Sequence, residues 1–150
     1  MSTSPQFARP VEILLVEDNK ADAKFAQVAL EKIEVEHHVH HVLDGDEAMR
    51  FLHREGEYSD APRPDLILLD LKMPKKDGCQ VLREIRSDEN LNSLVVVILT
   101  TSDANEDVAN AYRLNCNVYI KKHIDLEIFI DSIKVIDRLF FQLALLPPEE

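Results

Sequence analysis

The sequence predicts an α/β fold, a doubly wound five-stranded parallel sheet in the order 2-1-3-4-5 that ends in an extended C-terminal helix. Three observations predict it. Short apolar runs alternate with amphipathic segments along the chain, so a strand-then-helix rhythm repeats. The clearest runs, VEILLV and DLILLD, are apolar without alternation, as strands covered on both faces are. Parallel neighbours need right-handed crossovers, and 2-1-3-4-5 is then the economical topology.

Residues 11–16 (VEILLV) form the first strand, and 21–33 form a helix with Phe25, Val28 and Ala29 at helical spacing. Residues 36–43 read as a more polar strand. Asp44-Gly45 is a turn, and 47–54 is a helix carrying Ala48, Phe51 and Leu52. The stretch 56–64 (GEYSDAPRP) is a loop, punctuated by a glycine and prolines. Residues 65–70 (DLILLD) are the third strand. Pro74 and Gly78 flank a turn before a helix over 79–86 that turns Val81, Leu82 and Ile85 inward. Residues 94–100 (LVVVILT) are the fourth strand, 105–114 the fourth helix and 118–120 a short fifth strand. The last helix runs from Asp125 and should stop near Pro147-Pro148. The whole is a flavodoxin-like arrangement. It divides into a loosely attached N-terminus over 1–10, one domain over 11–143 and a tail over 144–150.

Composition narrows the function. A chain of 150 residues, 45% hydrophobic and 30% charged, is the size and mixture of one globular domain. The formal charge of −11 argues against DNA or RNA as a partner, because polyanions are repelled. No apolar run is long enough to span a membrane, and the first ten residues lack the layout of a signal peptide. Cys79 and Cys116 are too few for a disulfide framework and read as small core residues, so a cytoplasmic location is expected.

Ligands of such sheets bind at the carboxyl ends of the strands, where the strand order reverses. Reactive side chains stand at four of those ends. They are Glu17 and Asp18, Asp70, Thr100 with Thr101, and Lys122 near the fifth. Any one acidic residue there is best read as a solvated loop residue; four agreeing ends are not. Crowded carboxylates repel, and a divalent cation relieves the repulsion. Oxygen ligands without thiolate or imidazole point to Mg²⁺. A carboxylate can attack phosphorus to give an acyl phosphate, whose oxygens then need a cation, an ammonium group and a hydroxyl. Asp70 stands in the place of that carboxylate, Lys122 of the ammonium and Thr100 of the hydroxyl, beside the cation.

At these residues the sequence resembles the receiver domains of two-component response regulators. The carrying segments are ILLVEDN (13–19), DLILLDLKMPKKDG (65–78), VVVILTTS (95–102) and VYIKK (118–122), and the resemblance covers about residues 11 to 140. It implies that Asp70 is the phosphoacceptor, charged by a phosphohistidine on a sensor histidine kinase. It implies that Glu17, Asp18, Asp70 and the Lys72 backbone carbonyl hold Mg²⁺, with Mn²⁺ as a substitute. Lys122 would pair with the phosphate, Thr100 would swing toward it, and Tyr119 would turn inward as the switch. Such a protein signals, and its only chemistry is its own phosphorylation and dephosphorylation. The GEYSDAPRP insert, the TTS motif and the single-domain form are similar to the regulators partnered with bacterial and cyanobacterial phytochromes. His123 stands where the family usually has proline, and a cis peptide that is easy before proline is costly before histidine. Lys121 also competes with Lys122 for the role, although the distance from Tyr119 selects Lys122. Lys72 sets a flexible cation beside the site, where it either alters how quickly water reaches the acyl phosphate or is a solvated loop lysine.

Two further features stand out. His37, His38, His40 and His41 read as water-facing groups on an edge strand rather than a zinc site. Leu126, Phe129, Ile133, Ile136, Phe140 and Leu143 recur at alternating spacings of three and four, a seam of the coiled-coil kind. With more apolar residues beside it, this helix has one face for the sheet and one to spare, so a homodimer through that seam is expected over a tail folded back as core. Two other functions compete. A phosphorylation-inactive pseudo-receiver would serve as a docking module. A small Mg²⁺-dependent phosphotransferase would place its nucleophile in a DxD pattern at the first strand end, where this chain has Glu17-Asp18.

Overall fold

Five parallel strands, β1 (Val11–Val16), β2 (His37–Val42), β3 (Leu66–Leu69), β4 (Val96–Thr100) and β5 (Val118–Lys121), form one sheet. Their order is β2-β1-β3-β4-β5, the topology expected from the sequence. The structure, a computed structural model, describes residues 9–147. Between the strands run α1 (Lys20–Leu30), α2 (Gly45–Leu52), α3 (Gly78–Ser87) and α4 (Asn105–Arg113), and α5 (Leu126–Ile136) follows β5. The loop over 56–64 contains one 3₁₀ turn, Gly56–Tyr58.

Strand parity sorts the apolar residues into two layers. Leu14, Val16, Ile67, Leu69, Val96 and Ile98 pack on α2 and α3 through Phe51, Val81, Leu82 and Ile85. Val11, Ile13, Leu15, Leu66, Leu68 and Val97 pack on α1 and α5 through Ala26, Leu30, Phe129 and Ile133. Both faces of β1, β3 and β4 are therefore covered, which is why those runs show no alternation. Each fully buried aliphatic side chain stabilises the fold by roughly 1.5–3 kcal/mol.

Side-chain caps start α1, α2, α3 and α5 where the strands release the chain, whereas α4 opens at Ala104 without one. Asn19 Oδ1 accepts the Asp22 N–H at 2.9 Å to open α1, and Asp44 Oδ1 accepts the Glu47 N–H at 2.8 Å to open α2. Asp77 and Gln80 form a reciprocal capping box at α3, and Asp125 caps α5. The helix expected over 21–33 stops as an α-helix at Leu30. Its last apolar residue, Ile33, is still buried, because tight turns from Lys32 to Ala29 and from Ile33 to Leu30 carry it inward.

The C-terminal helix departs from the expected seam. Phe129, Ile133 and Ile136 are 0%, 0% and 3% exposed, packed against the sheet and α1, so they cannot form an interface with another chain. After Ile136 the helix widens to a π-helical segment, Asp137–Leu143, closed by an Ala144 N–H to Leu139 carbonyl bond of 2.7 Å. One extra residue per turn rotates the chain. Phe141 takes the core position that a regular helix would have given to Phe140, and Leu143 turns outward at 65% exposure. The outward row is Ile128, Val135, Leu139 and Leu143, with Leu126 at its margin. Buried Asp137 anchors the segment, its Oδ2 accepting from the Glu34 N–H and from Gln142 Nε2.

The other boundaries also differ in part. Arg9 pairs with Asp65 through both guanidinium nitrogens, at 2.8 and 2.9 Å, so residues 9 and 10 are tied to the body rather than loose. The rest of the expected N-terminal segment, 1–8, and residues 148–150 of the expected tail lie outside the described residues. Among the described residues no helix is long and apolar enough to cross a membrane.

Candidate functional site

Backbone pairing delivers the candidate residues to one edge of the sheet. The β1–β2 ladder continues one residue past the strand, from the Glu17 N–H to the Val42 carbonyl at 3.1 Å. Asp70 N–H bonds to the Val16 carbonyl at 3.1 Å, and Lys122 N–H to the Thr100 carbonyl at 2.6 Å. Glu17, Asp70 and Lys122 are thus each the first residue beyond a strand and held by a neighbour's carbonyl, and Thr100 is the last within its own.

One carboxylate oxygen from each of Glu17, Asp18 and Asp70 lies within 4.8 Å of the others. Glu17 and Asp70 are buried and Asp18 reaches solvent, so the group opens outward through Asp18. The Lys122 ammonium contacts Glu17 Oε1 and stands 3.7 Å from Asp70 Oδ2 and 3.5 Å from Asp22 Oδ2. Burial pushes the Glu17 carboxyl up to about 7, with the charge of Asp70 adding to the rise, while the Lys122 hydrogen bond works against it. For Lys122, burial alone would lower the pKa. The Glu17 hydrogen bond and the charges of Asp70 and Glu17 outweigh it and hold the ammonium protonated.

That donor set fits a hard divalent cation. It holds only oxygen, two of its carboxylates are buried side by side, and one of them resists ionisation without a counter-charge. The Lys72 N–H lies 3.5 Å from Asp70 Oδ1, which places the Lys72 backbone at the rim of the same site.

Thr100 and Tyr119, the two residues expected to switch, stand next to it. Thr100 is fully buried, and its Oγ1 accepts from the Ser102 N–H at 3.5 Å. The Tyr119 phenol donates to the Ser102 carbonyl at 2.8 Å, so both residues meet the same loop after β4. Lys121 points elsewhere, to Asp103 at 2.9 Å, which removes the ambiguity between the two lysines. No cis peptide occurs among the described residues, and Lys122 reaches the carboxylates with His123 following it.

Several contributors were not foreseen. Gly78 opens α3 so close to the loop after β3 that a Cβ there would lie 2.3 Å from the Asp70 carbonyl oxygen. Asp22 approaches Lys122 from the first turn of α1. Asp107 lines an open cleft of about 390 Å³ beside the site, together with Asp18, Lys72, Asp77 and Cys79. The histidines are not all water-facing groups. His41 Nε2 donates to the Glu17 carbonyl at 2.8 Å, and His38 and His40 converge on the Glu12 carboxylate at 3.0 and 2.6 Å. Among the described residues they form no group of three metal ligands. Cys116 is buried and Cys79 half-buried, and burial raises both thiols, as core residues rather than nucleophiles.

Comparison with known proteins agrees with this geometry. The family model for the response regulator receiver domain matches residues 13–134. The response regulator Rcp1 of Synechocystis sp. is 42% identical over 138 residues, covering 92% of this chain and 94% of that protein. Among solved structures, the phosphorylated cyanobacterial phytochrome response regulator RcpA is 47% identical with a TM-score of 0.88, covering 93% of this chain and 100% of the other. The Mn²⁺-bound form of Rcp1 superposes with a TM-score of 0.85 at 42% identity, again covering 93% and 100%.

Proposed function

This chain belongs to the response regulator receiver domain family, and we propose that it signals by accepting a phosphoryl group on Asp70 from a phosphohistidine of a sensor kinase of the phytochrome type. The observation that carries the reading is the meeting of Asp70 with two further carboxylates and a buried ammonium at one sheet edge. In the transfer an Asp70 carboxylate oxygen bonds to phosphorus as the P–N bond to histidine breaks, and the imidazole nitrogen keeps the electron pair. Glu17, Asp18, Asp70 and the Lys72 carbonyl would hold Mg²⁺ or Mn²⁺, which when bound neutralises charge on the phosphoryl oxygens. Lys122, held protonated 3.7 Å from Asp70 Oδ2, pairs with one of those oxygens. Thr100 donates its hydroxyl to another, giving up the Ser102 N–H, and Tyr119 follows it through the shared Ser102 contact. The phosphoryl group later leaves to water; no other substrate is turned over. A cytoplasmic location suits a kinase partner of this kind.

Incubation with acetyl phosphate and Mg²⁺ should add one acid-stable, base-labile phosphoryl group, and Asp70→Asn should abolish it. Transfer from a purified phytochrome-type histidine kinase should label the same residue. Repeated hydrolysis of phosphate esters would instead identify a phosphotransferase. Partner binding without any label would identify a docking module.

The reading includes a homodimer, through the outward row of α5 rather than its buried seam. Ile128, Val135, Leu139 and Leu143 are 46%, 64%, 46% and 65% exposed. Exposed Glu127 and Asp131 flank the row at its start, and exposed Lys134 and Arg138 at its end. An antiparallel two-fold pair sets each acidic half against a basic half. Light scattering should report twice the chain mass, and Val135→Asp should return the monomer.

A further inference from the structure

Strand parity divides the histidines of β2 into two kinds. His37 and His41 turn to backbone carbonyls, those of Val35 and Glu17, each at 2.8 Å. His38 and His40 share the other face, and both turn to Glu12 on β1. Nδ1 of His38 stands 3.0 Å from Glu12 Oε2, and Nε2 of His40 stands 2.6 Å from Oε1. Register explains the meeting, because His38 lies directly across the parallel ladder from Glu12 and His40 is the next residue on that face. Glu12 is the one charged residue of the strand VEILLV, and its side chain is only 13% exposed. The neighbouring acid, Asp65, is already engaged by Arg9 and by the Glu12 N–H. Phe51 on α2 backs the His40 ring at 5.4 Å, whereas the His38 side chain is 58% exposed and has room to turn.

We propose that Glu12, His38 and His40 form a second cation site, one for a borderline divalent ion of the Zn²⁺ class rather than for Mg²⁺. Two imidazoles and a carboxylate are donors that such ions prefer, whereas oxygen alone, as at Glu17, Asp18 and Asp70, suits Mg²⁺. Residues i and i+2 of a strand stand roughly 6.6 Å apart on one face. Both rings can then reach one ion at nitrogen distances of about 2.0–2.1 Å. As they stand, the rings hold separate oxygens of Glu12 with their centroids 6.5 Å apart, and the three donors do not close on one point. A turn of His38, the exposed member, closes them. Each imidazole stays neutral and keeps its one proton on the nitrogen away from the ion, so the nitrogen that now faces Glu12 presents its lone pair. Glu12 supplies the counter-charge. Water fills the remaining position from the open cleft of about 330 Å³ that His40 borders. The bound ion ties the edge strand β2 to β1, and it does so whether or not Asp70 is phosphorylated.

The test is calorimetric titration of the untagged full chain with ZnCl₂ in excess MgCl₂. One Zn²⁺ should bind per chain at a site that survives Asp18→Ala, a change that opens the acidic cluster. His38→Gln and His40→Gln should each weaken that site by about tenfold or more, the scale on which even supporting contacts of a metal site act. His37→Gln, on the opposite face of the strand, should leave it unchanged. The imidazole nitrogen resonances of His38 and His40 should move with zinc while those of His37 stay. Should a variant of His40 fail to fold, that of the more exposed His38 carries the comparison alone. Zinc uptake that disappears with Asp18→Ala assigns the ion to the acidic cluster and overturns the site. Equal losses in His37→Gln and His38→Gln, which mark unspecific binding by surface imidazoles, overturn it too, as does a chain that takes up no zinc.

Discussion

A single side chain, Glu17, shows what the site costs the fold. Its carboxyl is buried beside Asp70 and titrates near 7 rather than the ordinary 4.5. Without a cation the folded state therefore binds more protons than the unfolded chain between these two values, and its stability falls as pH rises through that window. The contribution is complete below 4.5 and gone above 7. We expect thermal unfolding in EDTA to show this loss between pH 4.5 and about 7, and Glu17→Gln to flatten it. A wild-type profile no steeper than that of the variant would refute the assignment. Mg²⁺ should raise the melting temperature more at the alkaline end, where the carboxylate is ionised and ready to bind. Glu17, Asp18, Asp70, Thr100 and Lys122 were all legible, because strand ends converge once the topology is known. Asp22 and Asp107 were not. They reach the site from helices, and a helix's rotation about its axis decides which of its many polar residues face inward.

Elements carry a second kind of constraint, visible where α3 meets the loop after β3. The capping box of Asp77 and Gln80 starts the helix, and Gly78 lets that start lie against the Asp70 backbone. An alanine there would put its Cβ 2.3 Å from the Asp70 carbonyl oxygen and 2.8 Å from Leu71 Cα, so backbone must move. We expect Gly78→Ala to cost about 1–3 kcal/mol in urea unfolding, the usual range for overpacking. It should also slow phosphorylation, since the displaced segment carries Asp70; retention of both properties would mean that α3 yields instead. At α5 the three-and-four spacing marked a stripe that is buried from Phe129 to Ile136, but it leaves Leu126 exposed, and the stripe meets the sheet and α1 rather than the second chain expected of it. Periodicity measures a stripe, not its neighbour. Beyond that point the π-helical turn breaks the period itself, carrying Phe141 inward where the pattern chose Phe140. Phe141→Ala should therefore cost about 3–5 kcal/mol, in the range of large core truncations, and clearly more than Phe140→Ala in the same unfolding assay.

At the scale of the molecule, topology was the most legible property, because unbroken apolar runs demand cover on both faces and few connections provide it. The charge of −11 was equally plain, yet it hides a distinction. A cation can stabilise this protein in two ways, by screening a surface that repels itself or by binding the carboxylates of Glu17, Asp18 and Asp70. The two differ in what they saturate and what they need. Screening depends on ionic strength and survives loss of any one carboxylate. Site binding follows mass action, adding about 2.7 kcal/mol at a hundredfold excess over the dissociation constant, and it requires the cluster. For a chain of this size each kcal/mol moves the midpoint by about 2–4 °C, so the bound cation should raise melting by roughly 5–10 °C. We expect millimolar MgCl₂ to do so at constant ionic strength held with KCl, and Asp18→Ala to lose most of the shift. Asp18 is the right residue to change because it reaches solvent, so its removal leaves no buried cavity behind. If KCl alone reproduced the shift, or Asp18→Ala kept it, the three carboxylates would be a feature of the surface charge and not a cation site.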